Sequence, residues 1–111
     1  MPASQQIDHM FQALADPYRR SMVERLSRGP ASVKQLADPM DMALPSAVKH
    51  LKVLEDGGLV VSKKVGRIRT YTMRPQALTS IGKWVKQRET AMTQAFDRLA
   101  QAMAEFPEDS R

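Results

Sequence analysis

Six cations define the chemistry open to this chain: Lys49, Lys52, Lys63, Lys64, Arg67 and Arg69. Side chains of this kind neutralise phosphate oxygens, and they can also donate to base edges in a duplex groove. They lie in a stretch of 32 residues, Leu44 to Pro75, that holds seven Lys/Arg against only Glu55 and Asp56. On either side, Met1 to Ala43 and Gln76 to Arg111 each balance five cations with five anions, so the formal net charge of +5 belongs to the central stretch. A basic block between neutral blocks is an electrostatic footprint for a polyanion. The groups that catalysis needs are missing. There is no cysteine, the two histidines His9 and His50 stand 41 positions apart, and no Gly-rich phosphate loop or carboxylate pair beside a histidine is present. Nothing assembles a nucleophile, a base and an oxyanion site. Zinc sites built on sulfur are excluded, and a lone histidine on a helix is an unpromising ligand. The expectation is no enzyme, no metal and no cofactor.

The elements that must position these cations follow from spacing. Ile7, Met10, Phe11 and Leu14 form the apolar stripe of a first helix over about 5–15. Asp16-Pro17 caps and opens a second helix to about Arg28, with Met22, Val23 and Leu26 inward. Ser32 and Gln35 have the spacing of a capping box for a short third helix ending before Pro39. After a tight connection over Met40 to Ala43, a fourth helix runs from Leu44-Pro45 to about Asp56. Its face Ala47, Leu51 and Leu54 points inward, while Pro45, Lys49 and Lys52 point outward with Ser46 and Val48 beside them. His50 lies on the flank, suited to packing or to a contact with a DNA backbone. Its N-cap position is Ala43, so Asp41 or bare backbone must serve. Gly57-Gly58 stops that helix. Leu59–Lys63 and Arg69–Met73 read as two strands around a turn over Lys64–Arg67, with Gly66 supplying a positive φ. Arg74-Pro75 opens a last helix to about Phe106, before Pro107 and a polar tail.

The fold class is therefore mostly α with a small β-hairpin, and the order is that of a winged helix-turn-helix. The helix-turn-helix spans 32–56 and the wing 59–73 within a single domain covering 1–111. The first and last regions, 5–30 and 76–106, frame a dimer. The apolar stripe of the last helix (Leu78, Ile81, Trp84/Val85, Met92, Phe96, Leu99, Met103, Phe106) exceeds what one small domain covers by itself. Pairing with a second copy, helped by Ile7, Met10, Phe11 and Leu14, would give a two-fold dimer reading two half-sites of a near-palindromic operator.

The same residues carry a family resemblance. Phe11-Gln-Ala-Leu-Ala-Asp-Pro-Tyr-Arg-Arg20, the run Leu44 to Val60 and the wing Gly66-Arg-Ile-Arg-Thr-Tyr71 are similar to the signature segments of the ArsR type of bacterial winged-helix repressors. The resemblance covers about Ile7 to Phe106. It implies a winged helix, a homodimer and repression of an operator, usually relieved by an inducer. It also implies that the family's metal chemistry does not carry over. The stretch where metal-sensing members place a Cys-x-Cys pair is Ser32-Val-Lys-Gln-Leu36, and no histidine follows Gln76.

With 111 residues, 42% hydrophobic and 26% charged, the composition is that of an ordinary globular domain. Met1 to Ile7 shows neither a basic nor an apolar signal-peptide region, and no apolar run spans a bilayer. A cytoplasmic protein that binds double-stranded DNA and no membrane is expected, its inducer unidentified. Two rivals remain: a winged-helix module that binds protein, and a metal-responsive repressor with His, Asp or Glu ligands at a dimer interface. The eight methionines suit core filling better than oxidation sensing.

Overall fold

The computed structural model describes residues 3–106, with side chains from Gln5 onward. The order is α1 (Ala3–Leu14), α2 (Pro17–Leu26), β1 (Ala31–Ser32), α3 (Val33–Ala37), a 3₁₀ turn (Asp38–Met40), α4 (Leu44–Asp56), β2 (Val60–Val65), β3 (Ile68–Met73) and α5 (Thr79–Glu105). Five helices and a small antiparallel sheet in this order form a winged helix-turn-helix. The chain divides into two compact units, one ending at Leu78 and one beginning at Thr79. Pro107 and the polar tail lie outside the described residues.

The first unit is built as its periodicity dictates. Met22, Val23 and Leu26 of α2 face inward, as do Ala47, Leu51 and Leu54 of α4. Leu59, Val60 and Tyr71 close the core from the sheet. Asp16 accepts from the Arg19 amide at 3.1 Å, capping α2. The capping box forms in both directions: the Gln35 amide donates to the Ser32 hydroxyl at 3.2 Å, and the Ser32 amide to the Gln35 side chain at 2.9 Å. Gly57 marks a close approach. A Cβ there would stand 3.1 Å from both the Ala13 Cβ and the His9 carbonyl, so any larger residue would push α1 off the end of α4 by a few tenths of an ångström.

Several boundaries differ from the sequence reading. The wing is part of a three-stranded sheet of order β1-β3-β2, not a bare hairpin. Ala31 and Ser32 pair with Tyr71 and Thr70, and two residues are too few to show a strand period. The turn is shorter than expected, because Val65 pairs with Ile68 and leaves Gly66-Arg67 between them. Gly66 has φ 64°, while Arg67 is not left-handed, the pattern of a type II′ hairpin turn. The last helix starts at Thr79 rather than near Pro75. The Arg74 amide is held by the Leu59 carbonyl at 3.0 Å, and Gln76 is left-handed at φ 60°, which no α-helix admits. The expected dimer residue Met10 is also corrected. It is only 4% exposed and packs into the core of its own chain, so it offers nothing to a partner.

Helix α5 is the second unit. None of its residues is buried. Val85, Met92, Leu99 and Phe106 recur every seven residues, and Phe96 and Met103 recur on the adjoining row. That is a heptad seam with d and a positions apolar and Glu89 as one polar a position.

Candidate nucleic-acid interface

Helix α4 begins without a side-chain cap. Asp41 is left-handed (φ 50°), closes the 3₁₀ turn with its amide on the Asp38 carbonyl, and makes no side-chain bond to the helix start. Ala43 caps by backbone alone, and Pro45 in the first turn removes one orphan N–H. With Ala47, Leu51 and Leu54 buried, Pro45, Ser46, Val48, Lys49 and Lys52 are all exposed. They form the outward face anticipated from their spacing.

The cations differ in their freedom. Lys49 has no ion pair among the described residues, and neither have Lys63, Lys64 and Arg67. Lys52 is paired with Asp56 one turn on, at 2.9 Å, and that hydrogen bond raises its pKa above the usual 10.5. Arg69 donates to the Ser62 hydroxyl at 2.8 Å, and Ser62 in turn donates to Glu55 of α4 at 3.4 Å. This chain of contacts ties the wing to the last turn of α4. Burial, followed by the nearby Glu55 charge, pushes the Tyr71 hydroxyl above its ordinary 10.0. Tyr71 thus packs against the core rather than offering itself to a base.

Strand register sorts the wing. Lys64 stands directly opposite Arg69, and Lys63 opposite Thr70. Side chains alternate between the two faces of a sheet. Lys64 and Arg69 therefore share the face of Ser62 and Tyr71, while Lys63 shares the other face with Val65 and Ile68. Like charges directly opposite each other destabilise a strand pair unless an anion lies against them. Val65 and Ile68, 65% and 61% exposed, lie on the face opposite Lys64 and Arg69 and were not picked out from sequence.

His50 is half-buried on the α2 side of α4. Its Nδ1 lies 3.3 Å from Nη1 of Arg19, and its ring centroid 5.9 Å from that of Tyr18. Arg19 also donates from Nε to the Ala13 carbonyl at 2.6 Å and from Nη2 to the Gln12 carbonyl at 3.2 Å, while Arg20 donates to the Leu14 carbonyl at 2.8 Å. Both arginines thus satisfy the open carbonyls at the end of α1. Neither arginine forms an ion pair with Asp16 or Glu24 among the described residues. No group of three or more His, Cys, Asp or Glu that could hold a metal ion is found among the described residues.

Known proteins share this architecture. A helix-turn-helix domain model matches residues 14–63. The crystal structure of an ArsR family transcriptional regulator, RHA00566, is 44% identical with a TM-score of 0.76, covering 81% of this chain and 93% of that one. The HTH-type transcriptional regulator Rv2034 of Mycobacterium tuberculosis is 40% identical over 74 residues, covering 67% of this chain and 69% of its own. The chain belongs to the ArsR family of helix-turn-helix transcriptional regulators. A winged helix-turn-helix DNA-binding domain from Mycobacterium bovis, a possible ArsR-family regulator solved as a homodimer, shares the fold at 23% identity and TM-score 0.64, covering 96% of this chain and 89% of that one.

As an ArsR-family regulator the chain is a DNA-binding protein and not an enzyme. Its structure brings Pro45, Ser46, Val48, Lys49 and Lys52 onto one helix face, with Lys63, Lys64, Arg67 and Arg69 on the wing. The sequence reading missed Tyr18 and Glu55 as partners of these elements. It also did not connect Arg19 with His50, a residue 31 positions away that no local pattern joins to it.

Proposed function

We propose that this protein is a homodimeric repressor that binds a near-palindromic operator in double-stranded DNA, without sensing a metal. The observation that carries the reading is the side-by-side placement of Lys64 and Arg69 on the wing, with Lys49 unpaired on α4. A polyanion relieves the repulsion that this register creates. Lys49, Ser46 and Val48 address the major groove, where side chains on base edges give sequence preference. Lys63, Lys64, Arg67 and Arg69 hold phosphates or line the adjacent minor groove.

The dimer is supported by the α5 seam. Val85, Met92, Phe96, Leu99 and Met103 are each 39% or more exposed within their own chain, while Ile81 is half-exposed. A second copy covers a seam of this period by knobs-into-holes packing. Ile7, Phe11 and Leu14 of α1 retain exposed surface and add to the same association. The M. bovis neighbour is a homodimer, in line with this assembly. The absence of cysteine favours a signal other than a soft metal. No helix among the described residues is long and apolar enough to cross a membrane, and the cytoplasm is where such a regulator meets its DNA.

Duplex binding as a function of salt tests the reading. The affinity falls on a log–log plot with a slope of about −0.9 for each phosphate contact. Affinity that is weak at low salt, or that does not change with salt, overturns it.

A further inference from the structure

We infer that Arg19 is a positioning residue for DNA binding. It holds His50 in the tautomer that carries its proton on Nε2, so that the ring donates to a backbone phosphate beside α4. This rests on the reading of α4 as the DNA-facing helix.

A guanidinium has donors and no acceptor. The nitrogen that meets Nη1 of Arg19 at 3.3 Å, His50 Nδ1, is therefore the acceptor of the ring. A neutral imidazole that accepts at Nδ1 bears its hydrogen on Nε2. Arg19 does not follow the ring if it turns, because Nε and Nη2 are anchored on the Ala13 and Gln12 carbonyls at 2.6 and 3.2 Å. The Asp16 carboxylate accepts from the Arg19 amide at 3.1 Å and fixes the backbone beneath it. Tyr18 packs on the ring at a tilt of 39°. The imidazole is thus oriented by groups of α1 and α2, not by its own helix.

Its other nitrogen faces outward. Nε2 has no hydrogen-bond partner among the described residues, and no buried side-chain nitrogen there lacks one, so Nε2 meets solvent. His50 lines a shallow groove of about 330 Å³ with Tyr18, Ser46 and the connection Met40 to Ala43. Its place on α4 selects the acceptor. One residue on from Lys49 is a rotation of about 100° around the helix axis, away from the groove floor and toward its wall. The wall of a major groove is the phosphate strand. A fixed, neutral N–H there has lost its orientational freedom before DNA arrives, which favours binding. Being neutral, it releases no counterion.

Two measurements on the full chain test this. In the free protein at neutral pH, the ring nitrogen shifts of His50 should report the Nε2–H form. Binding to a labelled random-sequence duplex should then weaken about tenfold or more in His50→Phe, the ordinary loss of a hydrogen bond to a charged group. The salt slope of that variant should match the wild type. His50→Gln should keep most of the affinity, because its amide offers an oxygen to Arg19 and N–H groups to the phosphate. Arg19→Gln should weaken binding in the wild-type background and add nothing in the His50→Phe background. Should Arg19→Gln fail to fold for want of its α1 bonds, the His50 variants and the ring shifts still decide. An Nδ1–H ring, a His50→Phe variant that binds like the wild type, or a slope smaller by about 0.9 per protomer (the mark of a cationic contact) overturns the proposal. Lys49→Ala in the same assay separates the two ideas. If it weakens binding and His50→Phe does not, only the role of Arg19 and His50 falls; if neither does, α4 is not the DNA-facing helix.

Discussion

Removing Lys49 tests how the interface is divided between free and restrained charge. Of the six cations on α4 and the wing, only Lys52 is in an ion pair among the described residues, with Asp56, while Arg69 bonds the neutral Ser62 hydroxyl and keeps its charge for a phosphate. Five unpaired cations per protomer predict a log–log salt slope of about −4.5, or about −9 for a dimer. Lys49→Ala should reduce that to about −7.2 for the dimer. Between about 50 and 200 mM salt the wild type should then lose roughly tenfold more affinity than the variant does. Fluorescence anisotropy of a labelled duplex, titrated at several salt concentrations, measures both slopes. Lys52→Ala is the internal control and should change the slope less, because an ion pair already satisfies that ammonium. Asp56→Asn should act in the opposite direction, releasing Lys52 and strengthening binding. A slope unchanged in Lys49→Ala, or an equal change in Lys52→Ala, refutes this division.

Three further outcomes follow. Leu99→Asp places a charge in the α5 seam and should give a monomer by light scattering with duplex affinity lost; a variant that stays dimeric removes α5 from the interface. Gly66→Val forces a β-branched residue to φ 64° and should destabilise the wing by about 1–2 kcal/mol, read as a lower midpoint in urea unfolding. Asp16 is held below its ordinary 3.8, chiefly by the hydrogen bond from the Arg19 amide. Its contribution to stability is complete above the ordinary carboxylate range and vanishes as the pH falls through the lowered value. The stability gap between wild type and Asp16→Ala should therefore close in acid, and a gap constant with pH speaks against the cap.

Local chemistry made much of this fold legible from sequence. The Ser32–Gln35 box, the Asp16-Pro17 start, the buried face Ala47–Leu51–Leu54 and the left-handed Gly66 all follow from residues within a turn or two of each other. What escaped depends on distant partners. Strand β1 exists because β3 pairs with it, and Ala31-Ser32 alone has no strand period to read. Met10 and Phe11 are adjacent apolar residues of one stripe, and only the packing of α1 on the glycine at the end of α4 turns the first inward and leaves the second exposed. The delayed start of α5 rests on Gln76, a residue type that gives no warning of a left-handed backbone. Within the site, the outward cations of α4 follow from helical periodicity, and those of the wing from their place on the hairpin. Their restraint by Asp56 and Ser62, and the hold of Arg19 on His50, required the fold.

Helix α5 buries no residue of its own chain, and this has a consequence for dosage. An isolated helix has little intrinsic stability in water, so the persistence of this one depends on whatever covers its seam. When that cover is a second copy, the DNA-reading species accumulates as the square of the monomer concentration while the dimer is scarce. Such a regulator measures its own abundance. A modest rise in synthesis carries it across a threshold, and dilution through cell growth returns it below, with no effector molecule required.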